Sequence, residues 1–303
     1  MGKILVTGGS GLVGRCFTGD RFEKISSKNG DLRDREVVSS IIRGSDYEGI
    51  IHCAARVGGV KSNMSYPGEF FHDNIMMNTN MIEEARKAGI KKFIFYSSTC
   101  VFPDKVVYPL TPDKVHLGPP HNSNYAYAYA KRMGQVQIQA YNQQYGLDYF
   151  TVIPSNIYGP GDFYNIEDGH VIPSLLHKMY LAHRDNTDFI VWGSGAPLRE
   201  FIFSEDIAEI TTGLYDNYRG KDPVIVSASE EISIKDLVYL MAKIFGFKGN
   251  IVFDTSKPEG QLRKPSDNSI IKNIFPDFKF TPIEEGLEKS ISWFMENYSN
   301  IRK

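Results

Sequence analysis

Tyr127 stands four residues before Lys131 in the run Tyr125-Ala126-Tyr127-Ala128-Tyr129-Ala130-Lys131, and residues four apart share one face of a helix. A phenol and an ammonium on one face make a proton donor and its tuner. A tyrosine hydroxyl titrates near ~10 in water; a fixed positive charge beside it favours the phenolate and brings Tyr127 toward the pH at which it passes a proton to or from a carbonyl oxygen. The same spacing also suits a tyrosine-rich packing helix, so the surrounding residues decide. Ser97-Ser98-Thr99-Cys100 follow the apolar run Lys92-Phe93-Ile94-Phe95-Tyr96. The carboxyl end of a strand in an open parallel sheet is where such folds place their ligands.

These groups need a scaffold, and the start of the chain supplies one. Lys3-Ile4-Leu5-Val6-Thr7 reads as a buried strand running into Gly8-Gly9-Ser10-Gly11-Leu12-Val13-Gly14. Glycines at this spacing permit a tight turn, close approach of backbone to a pyrophosphate, and packing of a helix start whose free N–H groups meet the anion. Only Arg15 to Arg21, with Gly19 among them, remain for the first helix before Phe22-Glu23-Lys24-Ile25 forms the second strand, so that helix is expected to be very short. The second strand ends in Ser26-Ser27-Lys28 with no acid, whereas a carboxylate there would bind a ribose 2′-hydroxyl and repel a 2′-phosphate. NADP(H) is therefore expected over NAD(H). Lys28 is the candidate phosphate contact, Ser26 and Ser27 are donors beside it, Asp31 and Leu32 lie toward the adenine, and Arg33 is the alternative cation. Residues 37–43 read as a helix and 49–55 as the next strand, ending in Ala54 and Ala55, where a cofactor can pass close. Residues 70–88 form a long helical pattern whose Met76, Met77, Met81 and Ile82 suit either a core face or a subunit face.

Composition narrows the class. A chain of 303 residues with 42% hydrophobic content forms one large domain or two intimate ones. A net charge of −2, with basic and acidic residues interspersed, leaves no electrostatic case for nucleic acid. Cys16, Cys53 and Cys100 lie far apart, without metal or redox spacing. The N-terminus opens a strand rather than a signal peptide, and no apolar run approaches the ~20 residues that span a bilayer. These features suggest a reduced, cytoplasmic protein without metal or membrane partner.

The glycine turn, the Ser98 strand end and Tyr127/Lys131 together resemble the extended short-chain dehydrogenase/reductase superfamily. A closer set follows: His52-Cys53-Ala54-Ala55 with Val57-Gly58-Gly59, Ser98-Thr99-Cys100-Val101-Phe102-Pro103, Gly118-Pro119-Pro120-His121-Asn122-Ser123-Asn124, Asn156-Ile157-Tyr158-Gly159-Pro160, Asp168-Gly169-His170-Val171-Ile172-Pro173 and Trp192-Gly193-Ser194-Gly195. Nearly end to end, the chain resembles the GDP-L-fucose synthase family, departing from it most clearly in the shortened segment between Gly14 and Asp31. The resemblance implies epimerisation of GDP-4-keto-6-deoxy-D-mannose at C3 and C5 and reduction at C4 by NADPH. It assigns Cys100 and His170 to the proton exchanges, Tyr127, Lys131 and Ser98 to the reduction, and Pro154, Ser155, Asn156, Ile157 and His170 to the nicotinamide side. A thiol near ~8.5 and an imidazole near ~6.5 suit proton exchange around neutrality. Sugar-nucleotide dehydratases carry acids where Thr99 and Cys100 stand. A simple C4-epimerase would leave Cys100 and His170 without work, and a non-catalytic NADP-binding regulator would commonly have lost Tyr127 or Lys131.

The implied fold is an α/β, Rossmann-type doubly wound parallel sheet over residues 1–153, with a later segment of about 200–228 returning to it, and a smaller α/β substrate-binding lobe over 154–303. In that second half Lys178 and Arg199 are pyrophosphate candidates, and Trp192 offers a face to a base or sugar. By resemblance Glu259 contacts the substrate with Lys264 near it; an ordinary solvated loop fits the same residues. Ser204 reads as the N-cap of a helix whose first turn holds Glu205 and Asp206. The family's two-helix interface implies a homodimer through segments 70–88 and 127–145.

Overall fold

The computed structural model describes residues 2–257 and 261–303. In chain order its strands are β1 (Lys3–Thr7), β2 (Phe22–Ile25), β3 (Tyr47–His52), β4 (Lys92–Tyr96), β5 (Asp148–Pro154), β6 (Asn156–Tyr158), β7 (Phe189–Trp192), β8 (Leu198–Phe203), β9 (Val224–Val226), β10 (Glu231–Ser233) and β11 (Ile251–Asp254). The helices are α1 (Arg35–Ile42), α2 (Val60–Ser65), α3 (Pro67–Lys87), α4 (Tyr125–Tyr145), α5 (Val171–Asp185), α6 (Ser204–Asn217), α7 (Ile234–Phe245), α8 (Ser269–Ile274) and α9 (Ile283–Asn297).

The main sheet has the order β2-β1-β3-β4-β5-β9, and every pairing in it is parallel. Alternate residues of its strands point to opposite faces. Leu5, Ile50, Phe93 and Tyr149 pack against Val38 of α1, Met81 and Ile82 of α3 and Ile138 of α4. Ile4, Val6, Ile51, Phe150 and Val152 pack against Ile207, Ile210 and Leu214 of α6. Both faces are thus covered, as a parallel sheet requires, and the fold is a Rossmann-like α/β sheet. Strand order reverses at β1, so the crevice between the carboxyl ends of β1 and β3 is the place for a dinucleotide.

The remaining strands pair as β10-β8-β6 and β11-β7, and α5, α7 and α9 bury Leu176, Met179, Leu237, Met241, Leu287 and Phe294 against Phe189, Val191 and Phe203. No helix among the described residues is long and apolar enough to cross a membrane.

Two expectations change and one open alternative is decided. The first crossover holds no α-helix at all, only a 3-10 turn at Gly14–Cys16. The link is long enough for a crossover but holds no full helix, and beside α6 lies a groove of about 850 Å³, lined among others by Cys16, Phe17, Phe22, Phe275, Phe278 and Trp293. Ser204 is not the N-cap of α6: that position belongs to Phe203, and the serine side chain makes no cap bond. It is fully buried against Gly159, where an added Cβ would stand 2.2 Å from Ser204 Oγ. On α3, Met77 and Met81 pack into the core rather than onto an outer face.

Candidate active site

The glycine turn is built for close approach. Gly8 has φ +69°, a left-handed conformation that favours glycine, and a Cβ there would stand 2.9 Å from the Ala54 nitrogen of the neighbouring strand end. A Cβ on Gly14 would lie 2.2 Å from the Gly8 carbonyl oxygen, which receives the Gly11 N–H at 2.8 Å. The glycines at 8, 11 and 14 therefore make a tight cradle at the reversal of strand order, and this geometry fits a dinucleotide pyrophosphate held by backbone N–H groups. The macrodipole of a full helix is missing behind it. Below the cradle, Thr7 Oγ1 accepts the Ala54 N–H at 3.1 Å and bonds His52 Nδ1 at 2.7 Å, while His52 Nε2 meets Asn78 Oδ1 at 3.2 Å. Burial pushes His52 down to about 3, the nearby Lys131 charge acts in the same direction, and the Asn78 contact opposes them. Neutral His52 ties β1, β3 and α3 together.

At the β2 end, Lys28 is exposed. Arg33 is not available in the same way: its guanidinium is spanned by Asp31 at 2.6 Å and Asp73 at 2.9 Å, and Arg56 joins Asp73 at 2.8 Å. Asp31 is held below the usual carboxylate range chiefly by its side-chain hydrogen bond with Arg33. The Leu32 side chain is buried in the core, and its carbonyl accepts from Asn80 Nδ2 at 3.1 Å.

The catalytic candidates converge where β4 ends. A 3-10 turn at Thr99–Val101 follows the strand, and Ser98 caps it by accepting the Cys100 N–H at 3.2 Å. Tyr127 and Lys131 do share a face of α4, with Lys131 Nζ 5.9 Å from the Tyr127 ring centroid. The expected tuning does not operate in this state. Lys131 is 1% exposed and donates to the Tyr96 carbonyl at 2.7 Å; burial lowers it to about 7. Burial likewise raises Tyr127, and the other influence on it is Cys100 rather than Lys131. An ammonium whose proton is loosened by desolvation favours a phenolate less.

Cys100 is the hub of the site. Its thiol is within electrostatic reach of Tyr127, Arg199 and Lys264. Arg199 on β8 and Lys264 are both lowered chiefly by desolvation, and the one hydrogen bond of the Arg199 side chain among the described residues goes to the Leu198 carbonyl at 2.6 Å. Among the described residues neither cation makes an ion pair, though the Asp104 charge acts on Lys264, and two desolvated cations so placed suit an anion. Further out, Lys178 of α5 lies over the Trp192 ring, 4.0 Å from its centroid. Asn156 donates from its side chain to the Glu200 carbonyl at 2.8 Å, and Ser155 donates its N–H to the Val226 carbonyl at 3.0 Å, fixing the segment from Pro154 to Ile157 between β9 and β8. His170 caps α5 with its backbone, its side chain exposed and making no cap bond. Glu259 lies outside the described residues. Sequence reasoning missed Asp162, a buried acid in the loop before His170; its one signal was an acid placed directly after Gly159-Pro160-Gly161.

The NAD dependent epimerase/dehydratase family matches residues 4–227. A GDP-L-fucose synthase of Dictyostelium discoideum is 44% identical, the alignment covering 99% of this chain and 97% of that protein. A probable GDP-L-fucose synthase of Drosophila melanogaster is 40% identical over 100% of both chains. Among solved structures, a GDP-L-fucose synthetase from Naegleria fowleri bound to NADP superposes with a TM-score of 0.93 at 42% identity, covering 100% of this chain and 95% of that one.

Proposed function

The chain belongs to the NAD dependent epimerase/dehydratase family and, within it, to the GDP-L-fucose synthases, and from that membership we infer that it converts GDP-4-keto-6-deoxy-D-mannose to GDP-L-fucose with NADPH. The observation that carries the reading is the meeting of Tyr127, Cys100 and two cations, Arg199 and Lys264, at the carboxyl end of the sheet beside a glycine cradle. A plain C4-epimerase would give the thiol no task.

NADPH, when bound along residues 8–14 and 154–157, supplies hydride to C4. The protein's own residues do the rest. The C4 ketone acidifies the hydrogens on C3 and C5; Cys100 and His170 form the pair that removes each proton and returns one to the opposite face. Arg199 and Lys264 hold the diphosphate, and Lys178 with Trp192 receives the nucleoside side. After both inversions Tyr127 donates its proton to the C4 oxygen as that atom gains charge, and Lys131, buried against the Tyr96 carbonyl, keeps the tyrosine face in place. Ser98 sets the turn that aims Cys100. The outward side chains Phe71 of α3 and Met133 and Val136 of α4 are 40%, 38% and 40% exposed; they support a homodimer through these two helices. A cytoplasmic setting agrees with the three free cysteines.

The test is incubation with fresh GDP-4-keto-6-deoxy-D-mannose and NADPH, following NADPH oxidation and the stereochemistry of the product by NMR. Stoichiometric oxidation with an L-fuco product is expected. Absence of oxidation, or a product reduced at C4 with C3 and C5 unchanged, would overturn the reading.

A further inference from the structure

Glu200, on β8, is 4% exposed, and among the described residues no cation pairs with its carboxylate. A buried acid without a counter-ion is costly and needs strong hydrogen bonds. Ser266 supplies them. It gives its N–H to Glu200 Oε1 at 3.1 Å and its hydroxyl to Oε2 at 2.5 Å, and it is itself buried. Burial raises the Glu200 carboxyl, the donors of Ser266 and Ser227 oppose the rise, and the Glu231 charge adds to it. The neighbouring cation Arg263 is held by Glu231 instead, its Nε 2.8 Å from Oε2.

These bonds do more than satisfy an acid. Residues 262–266 run beside β8 and are fastened to it at both ends: Leu198 donates its N–H to the Leu262 carbonyl at 2.8 Å, and Ser266 closes on Glu200. Lys264 stands midway between those anchors, and Arg199 stands midway between Leu198 and Glu200. Successive strand residues point to opposite faces, so the Glu200 side chain grips the segment without occupying the Arg199 face. The Arg199 charge acts on Lys264. Elsewhere the segment is held by Leu110, which donates its N–H to the Pro265 carbonyl at 2.8 Å and accepts the Asp267 N–H at 2.9 Å. Tyr108 adds a bond from its hydroxyl to the Arg263 carbonyl at 2.6 Å. Among the described bonds to residues 263–267, those of Glu200 are the ones that come from the strand carrying Arg199.

We propose that Glu200 is a positioning residue for substrate binding: its carboxylate, closed on Ser266, fixes Lys264 at the spacing from Arg199 that a diphosphate bridges. The proposal rests on the reading of Arg199 and Lys264 as the diphosphate site, and it gives Glu200 no part in the proton transfers. A carboxylate suits the task better than an amide, because both of its oxygens accept and bonds to a charged acceptor are roughly twice as strong as neutral ones.

The test is calorimetric binding of GDP, and separately of NADPH, to the full chain. Glu200→Gln keeps the length of the side chain but leaves one accepting oxygen, so GDP should bind about tenfold more weakly, with NADPH affinity within about twofold of native. In steady state the same variant should raise KM for the keto-sugar by a similar factor and leave kcat nearly unchanged. Ser266→Ala removes the hydroxyl from the other side and should weaken GDP to a lesser degree, whereas Ser266→Thr keeps both donors and should bind it nearly as the native chain does. This pair carries the test if Glu200→Gln does not fold. A double-mutant cycle separates positioning from general damage: in a Lys264→Met background, Glu200→Gln should cost less than about twofold. Native GDP affinity in Glu200→Gln, or in Ser266→Ala where the first does not fold, overturns the proposal. So does an undiminished loss in the Lys264→Met background, or an equal loss of NADPH affinity. With GDP still weakened by Lys264→Met and Arg199→Met, those results leave the diphosphate reading standing. Native GDP binding by both of these last variants would overturn that reading, and the proposal with it.

Discussion

Tyr127 and Cys100 lie close enough to influence each other, yet the chemistry divides between them, and single substitutions separate the halves. Tyr127→Phe should stop NADPH oxidation, by ~10²–10⁴-fold, while deuterium still washes into C3 and C5 of the keto-sugar. Cys100→Ala should do the reverse: exchange collapses by a similar factor, and slow reduction of the unepimerised sugar persists. Exchange at the native rate in Cys100→Ala would remove the thiol from the mechanism. At the nucleotide end, Lys28 is exposed while Arg33 is spent on Asp31 and Asp73, so Lys28→Glu should reduce or reverse the preference for NADPH over NADH; kcat/KM with each donor measures it, and an unaltered ratio would show that Lys28 does not meet the 2′-phosphate. At this scale the sequence was legible where chemistry sits in short spacings, as in Tyr127 with Lys131 or Cys100 after a strand. It was opaque where partners are distant in the chain. The desolvation of Lys131 beneath the Tyr96 carbonyl has no signature in local spacing.

Glycine spacing and strand patterns carried most of the elements. β4, β7 and α7 fall where the apolar pattern places them: β4 is a run buried on both faces, β7 alternates between buried and exposed residues, and α7 buries one stripe. The N-terminus of α6 was misread since Phe203, not Ser204, occupies the turn-in geometry, and a serine one position inside the helix is indistinguishable in sequence from a cap. The first crossover was read as short from residue count alone, but its reduction to a 3-10 turn follows from packing. Two predictions belong here. Gly14→Ala places a methyl 2.2 Å from the Gly8 carbonyl oxygen, and calorimetric binding of NADPH should weaken at least about tenfold with the rest of the fold intact. Conversely, inserting about ten helix-forming residues after Gly14, with an apolar stripe toward Phe17, Ile210 and Phe275, should fill the groove beside α6. It would restore a dipole behind the cradle, worth ~0.3–1 kcal/mol of NADPH binding, and raise the melting temperature by several degrees. An insertion that lowers both would mean the groove walls have already collapsed onto the short link.

Across the whole molecule, buried ionisable groups set how stability responds to pH. Lys131 releases its proton around pH 7 in the folded, cofactor-free chain and around 10.5 in the unfolded one. Between those values the unfolded chain holds more protons, and stability rises with pH by up to about 1.4 kcal/mol per unit. From about pH 9 upward the sign turns, because burial raises the Cys53 thiol above its ordinary 9.0 and Tyr96 above 10.0, so their stabilising contribution is lost as pH climbs. Urea melts should therefore show a maximum near pH 9, and Lys131→Met should flatten the rise from pH 7; a native-like slope in that variant would exclude Lys131 as its source. The same molecule carries two tryptophans, each lying under a cation: Trp192 beneath Lys178 at 4.0 Å and Trp293 beneath Arg15 at 5.6 Å. One indole marks the sugar-nucleotide end and the other the wall of the uncovered groove, so intrinsic fluorescence is a two-channel reporter. In Trp293→Phe, emission should respond to GDP-sugar as the nucleoside side meets the Trp192 ring and its ammonium, and in Trp192→Phe it should stay silent to sugar yet respond when the groove is filled.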